Sequence, residues 1–197
     1  DPSGMHKIYD QWPQIAKDAY DSNLELVDFK NIDHIVFAGM GGSGAIGELF
    51  ASVLSKTSIH VSLVKGYLLP QTVDKNTLVV TISVSGNTIE TLTVLDSAHK
   101  LDCHIIAFSS GGKIEEYCIK NQINYKKIES IHSPRASFTK FTFSILKILS
   151  SIIPMNEEEI TESIESLENL SQKISSNNLS ETNPSLDLAN FISGIPL

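Results

Sequence analysis

TLVVTISVSGNTIETLTVL, residues 77–95, changes its hydrophobic rhythm around one glycine. TLVVTI is short and almost wholly apolar, whereas NTIETLTVLDSAHK spaces its apolar residues three and four apart. A continuous apolar run bounded by turn residues predicts a strand covered on both faces, and the second spacing predicts an amphipathic helix. A strand that breaks at Ser-Gly and becomes a helix is half of a β-α-β unit.

Outward from this stretch the same alternation recurs. HIVFAGM (34–40) is an apolar run that ends in glycines, and AIGELFASVL (45–54) then puts Ile46, Leu49, Phe50, Val53 and Leu54 on one helical face. IHVSLV predicts a strand and is followed by a loop through Gly66 and Pro70. CHIIAF, GGKIEEYCIKN and INYKKI repeat strand, helix, strand. Strands alternating with helices imply right-handed crossovers and a mostly parallel sheet. The fold class is therefore α/β, a five-stranded parallel sheet flanked by helices, with an N-terminal helix and a C-terminal helical extension.

Residues 1–30 supply the N-terminal helix, with Ile8, Trp12, Ile15, Ala16 and Ala19 on one face. Residues 31–153 form the sheet domain and end in a helix carrying Phe138, Phe141, Ile145, Leu149 and Ile152. Leu146 and Ile148 widen its apolar stripe, so burial on more than one side is expected, and a homodimer is one way to achieve it. Pro154 stops that helix. In residues 154–197, Asn156 and Glu159 predict a capping box, and SSNNLSETNPS (175–185) reads as a linker. DLANFISGIPL then begins new structure, as expected of a chain continuing into a second domain.

The chain carries 15 Lys+Arg against 23 Asp+Glu, a net charge of −8, with 41% hydrophobic residues among 197. That much apolar content excludes a disordered chain, and the acidic balance argues against a nucleic-acid partner. No apolar run reaches the ~18–20 residues of a membrane helix, and DPSGMHK lacks the apolar core of a secretory signal. Cys103 and Cys118 lack metal-type spacing and read as reduced packing residues, which predicts a cytoplasmic protein. The six histidines show no metal-binding spacing, so no metal is expected.

Ligands of open parallel sheets bind at the carboxyl ends of the strands. Four junctions here have suitable chemistry. In GMGGSG (39–44) glycines let backbone amides approach an anion at a helix start, although a tight turn would use the same residues. The glycines match G-x-G-x-x-G, but IHVSLVKGYLL holds no acidic residue for a dinucleotide ribose, and no Gly-Lys-Ser/Thr marks a Walker loop. SVSGNT (83–88) offers three hydroxyls, Ser83, Ser85 and Thr88, at a second helix start, which suits a phosphate monoester or an ordinary cap. SSGG (109–112) has the same grammar. SPRASF puts Arg135 at a helix start, where a cation opposes the helix dipole unless an anion binds beside it.

GMGGSG, SVSGNTIETL, SSGGKIEEYC and SPRASF, in this order, resemble the SIS (sugar isomerase) domain, and more narrowly the archaeal-type bifunctional phosphoglucose/phosphomannose isomerases. The resemblance implies interconversion of glucose 6-phosphate and mannose 6-phosphate with fructose 6-phosphate, a place in glycolysis and gluconeogenesis, a sugar-phosphate ligand and no cofactor. It implies that Gly41, Gly42 and Ser43 line the sugar-phosphate site, that Ser83, Ser85 and Thr88 hold the phosphate, and that Arg135 is the catalytic cation near the reacting carbons. The family's general base, with an assisting histidine and lysine, would lie in a second domain beyond Leu197, so the 197 residues alone should bind weakly and turn over nothing. Val84 stands where relatives often carry an aromatic, which leaves the hydroxyls in place. A non-catalytic sugar-phosphate regulator would share the same loops.

Overall fold

The structure is a computed structural model and describes residues 2–193. Five strands, β1 (His34–Ala38), β2 (His60–Val64), β3 (Thr77–Ser83), β4 (His104–Ser109) and β5 (Asn124–Lys127), form one parallel sheet. Their order is β2-β1-β3-β4-β5. The chain winds outward from β1 in one direction and from β3 in the other, so the topological switch falls between these two strands.

Alternation along the strands sends side chains to both faces. Ile35, Phe37, Leu78, Val80, Ile82, Ile106 and Phe108 share one core with α3 (Gly42–Leu54) and α6 (Phe138–Ile148). Val36, Ala38, Val79 and Ala107 face α4 (Ile89–His99) and α5 (Gly112–Asn121). The all-buried patterns of β1 and β3 follow from this two-sided cover, whereas edge strand β2 is largely open.

Two expectations about the helices need correction. Residues 1–30 hold two helices, α1 (Met5–Asp10) and α2 (Trp12–Asp21), which break at Gln11 because Pro13 cannot donate an amide to the preceding turn. The 175–185 linker is shorter than expected, since α8 (Pro184–Ile192) starts inside it, capped by Asn183. α7 (Glu157–Ile174) has the expected Asn156–Glu159 capping box. Of the end segment FISGIPL, Phe191 and Ile192 complete α8, and residues 194–197 lie outside the described residues.

The wide apolar stripe of α6 is covered within the chain. Phe141, Thr142, Ile145 and Ile148 are buried, and the helix packs against both α2 and α3. The stripe therefore does not argue for a subunit contact.

Candidate functional site

The loops after β1 and β3 flank the switch point and touch. Ser43, in the first turn of α3 and 8% exposed, accepts a long 3.4 Å hydrogen bond at Oγ from the Val84 N–H. A Cβ on Gly39 would meet the Ile82 carbonyl oxygen at 2.9 Å, so glycine permits this approach. The loop after β4 closes on the other side. Ser110 donates from Oγ to the Val84 carbonyl at 2.6 Å, and Ile114 donates its N–H to the Gly86 carbonyl at 2.9 Å. Gly86 has φ 68°, and a Cβ there would overlap the Gly111 carbonyl oxygen.

Within SVSGNT the three hydroxyls divide their work. Ser83 is buried, accepts the Gly86 N–H at 3.1 Å and lies 2.9 Å from Thr88 Oγ1. It holds the turn from beneath. Ser85 is exposed and accepts the Asn87 N–H at 3.3 Å, which leaves its own hydrogen free to donate outward. Thr88 is the N-cap of α4, but its hydroxyl is engaged with Ser83 and caps nothing. The amides of the first turn of α4 are therefore open.

α3 is open only in part, since its Ser43 and Gly44 N–H groups donate to the Met40 carbonyl at 3.1 and 3.4 Å. Its N-cap, Gly41, at φ 55°, supplies no cap, and a Cβ on Gly41 or Gly42 would meet nothing within 4 Å. Neither the Gly41 nor the Gly42 N–H donates a hydrogen bond among the described residues. α5 gets no cap from its own N-cap residue, Gly111, but its Lys113 and Ile114 N–H groups are taken by Asn87 Oδ1 and the Gly86 carbonyl of the second loop. α1 and α2 also lack side-chain caps, so a missing cap alone marks nothing. Two helix starts with free amides, those of α3 and α4, meet at the switch point of the sheet and form an array of donors suited to an anion.

Arg135 lies in the turn before α6 rather than in its first helical turn, because Ser137 is the N-cap. It is exposed, and its guanidinium has no hydrogen bond or ion pair among the described residues. The structure brings Ser43, Ser83, Ser85 and Thr88 together. It shows no bond from Arg135 to them, though α3 and α6 pack against each other. Of the two carboxylates riding the loop helices, Glu48 is paired with Lys65 at 2.5 Å and Glu90 stands in the first turn of α4.

Sequence reasoning missed Asn87. Its Oδ1 accepts the Lys113 N–H at 3.2 Å and its Nδ2 donates to the Ser85 carbonyl at 3.0 Å, so it ties the second loop to the third. An asparagine after Ser-Gly signals a turn, but not a partner 26 residues away. The cavities of about 520 Å³ between α2 and α6, and about 530 Å³ beside the 67–73 loop, are lined by none of these groups. The site is an open rim. Among the described residues no His, Cys, Asp and Glu group could hold a metal ion, and no helix is long and apolar enough to cross a membrane. Cys103 and Cys118 are free thiols, and burial pushes both up to about 11.

A doubly covered parallel sheet with donor-rich loops at its switch point defines an open α/β domain of the ligand-binding kind. The SIS domain matches residues 28–152, and the chain belongs to that family. It is 33% identical over 175 residues to a bifunctional phosphoglucose/phosphomannose isomerase of Caldicellulosiruptor bescii, covering 86% of this chain and 51% of that protein. It is 35% identical over 113 residues to a D-glucosamine-6-phosphate 4-epimerase of Sulfolobus acidocaldarius, covering 57% of this chain and 35% of the relative. In fold it resembles the C-terminal domain of glucosamine-fructose-6-phosphate aminotransferase from Francisella tularensis, with a TM-score of 0.63 at 18% identity over 95% of this chain and 57% of that one. The chain spans about half the length of the curated isomerases it matches.

Proposed function

We propose that this chain is the phosphate-gripping part of a phosphosugar aldose–ketose isomerase that interconverts glucose 6-phosphate and mannose 6-phosphate with fructose 6-phosphate. The observation that carries the reading is the meeting of the first two loops at Ser43 Oγ and the Val84 N–H, with the bare starts of α3 and α4 beside it. The named isomerases among its relatives support the substrate class. A phosphate monoester offers several acceptor oxygens, and the Gly41 and Gly42 amides, Ser43, Ser85 and the first turn of α4 offer matching donors.

Moving a carbonyl between adjacent carbons takes a proton from one and returns it to the other through an enediolate. The phosphate is remote from that chemistry, and its binding energy orients the reacting carbons. Arg135 is the cation we assign to the developing oxyanion, since its guanidinium is exposed and uncommitted. We assign the general base to a part of the protein beyond Leu197, as the family resemblance implies. An open rim fits a site completed by other elements. A homodimer now rests on exposed Leu170, Ile174, Leu188, Phe191 and Ile192 of α7 and α8, and a cytoplasmic location on the two free thiols.

The test is a coupled assay on the full-length gene product with both hexose 6-phosphates. Turnover of both is expected, with Arg135→Ala slowing it roughly 10²–10³-fold and Ser85→Ala acting mainly on KM. Saturable binding without turnover would make the protein a sugar-phosphate-binding regulator, and absence of binding would overturn the reading.

A further inference from the structure

The turn that carries Arg135 is locked from beneath. Ala136 and Ser137, immediately after the exposed Arg135, are fully buried. Ser137 Oγ accepts the Ile131 N–H at 2.8 Å and directs its own hydrogen at the Ser133 and Ile131 carbonyls, 2.8 and 3.0 Å away. Ser133 Oγ accepts the Ala136 N–H at 3.3 Å. One of the links to the rest of the molecule comes from 124 residues away, where the Trp12 indole N–H donates to the Ala136 carbonyl at 3.1 Å.

Trp12 is itself held in place. It opens α2, its ring meets Tyr9 edge-on at 4.9 Å between centroids, and it lies tilted against Phe138 at 6.3 Å. Phe138 is the first residue of α6, three positions after Arg135. The indole thus contacts the Arg135 turn twice, by a hydrogen bond to the peptide carbonyl of the next residue and by packing against the helix that follows. An apolar ring of this size would fill the space without the bond. The N–H is the part of Trp12 that packing does not require.

We propose that Trp12 is a positioning residue for Arg135, its indole N–H fixing the Ala136 carbonyl and so the direction in which the guanidinium leaves the turn. The proposal deepens the isomerase reading and rests on it. A cation serves a developing oxyanion only if its direction is set before the charge appears, because reorganising it during the reaction forfeits the advantage. The N-terminal helices are then part of the site's frame.

The experiment uses the full-length protein and Trp12→Phe, which keeps a ring against Tyr9 and Phe138 and removes the donor. In the wild-type background kcat should fall about 3- to 10-fold, as loss of one neutral hydrogen bond allows, with KM little changed. In an Arg135→Ala background the same substitution should cost less than twofold, because the group it acts through is gone. An equal loss in both backgrounds would mean a merely structural role and would overturn the proposal. Amide hydrogen exchange supplies a readout that does not need turnover. Residues 131–137 should exchange faster in Trp12→Phe while β3 keeps its wild-type protection, and unchanged exchange in that turn overturns the proposal. A wild-type protein without isomerase activity would defeat the underlying reading, and the catalytic role of Trp12 with it, whatever exchange shows about the turn.

Discussion

Ser83 and Ser85 lie two positions apart and do opposite work. Ser83 is 1% exposed and spends its hydroxyl on Gly86 and Thr88, whereas Ser85 is exposed with a hydrogen to give. Side-chain alternation explains part of this difference, and the turn that begins at Val84 explains the rest. The turn in its present form needs Gly86, for two reasons. Its φ of 68° is costly for any L side chain, and a Cβ there would overlap the Gly111 carbonyl. Gly86→Ala should therefore destabilise the fold by more than about 2 kcal/mol, the cost of left-handed strain plus displaced backbone. Urea unfolding checks it, and a midpoint within error of wild type would contradict the close approach of the second and third loops.

At the scale of the element, the opposite edge of the sheet carries a separate polar cluster. His34 begins β1, and its ring lies 4.8 Å from that of His60, which begins β2. Thr77 donates its hydrogen to Asp74 at 3.0 Å, so its oxygen accepts from His34 Nδ1 at 3.3 Å, and His34 Nε2 accepts from Ser62 at 3.0 Å. The Ser62 bond as drawn requires a neutral ring, because a protonated Nε2 has no lone pair with which to accept. Burial, and then the facing His60, hold His34 below the ordinary histidine value, against the opposing pull of the Thr72 carbonyl, Asp74 and Asp33. The unfolded chain takes up this proton first, so the contribution is complete above about pH 6.5 and is lost as the pH falls below it. Denaturant unfolding at pH 7.5 and pH 5 should show wild type losing more stability than His34→Gln over that interval. Equal losses would mean that His34 is not the group responsible.

The helices show how far the sequence was legible. The β-α alternation, the capping box at Asn156 and the uncapped glycine start of α3 follow from local spacing, because each depends on residues within one turn of one another. The break at Gln11 was harder to read, since the apolar face runs on through Trp12 while Pro13 interrupts only the hydrogen bonds. The start of α8 at Pro184 was hidden inside a polar stretch whose Asn-Pro is equally a turn and a cap.

For the whole molecule, what local spacing could not supply was adjacency. The order β2-β1-β3-β4-β5 places the loops after β1 and β3 side by side, and no periodicity specifies which strands neighbour. The links from Asn87 to Lys113 and from Trp12 to Ala136 are of the same kind, made by residues far apart in sequence. The wide stripe of α6 shows the converse, since a pattern that suited a subunit contact is covered by α2 and α3 of the same chain. The central claim is likewise one of adjacency, that a single sugar phosphate is held across both loops. Titrating fructose 6-phosphate into the ¹⁵N-labelled chain and following its amide resonances tests it most directly. The account predicts saturable shifts that are largest at Gly41, Gly42, Ser85 and the first turn of α4, and greatly reduced in Ser43→Ala and Ser85→Ala. Shifts confined to one loop, or centred on the groove between α2 and α6, would contradict it.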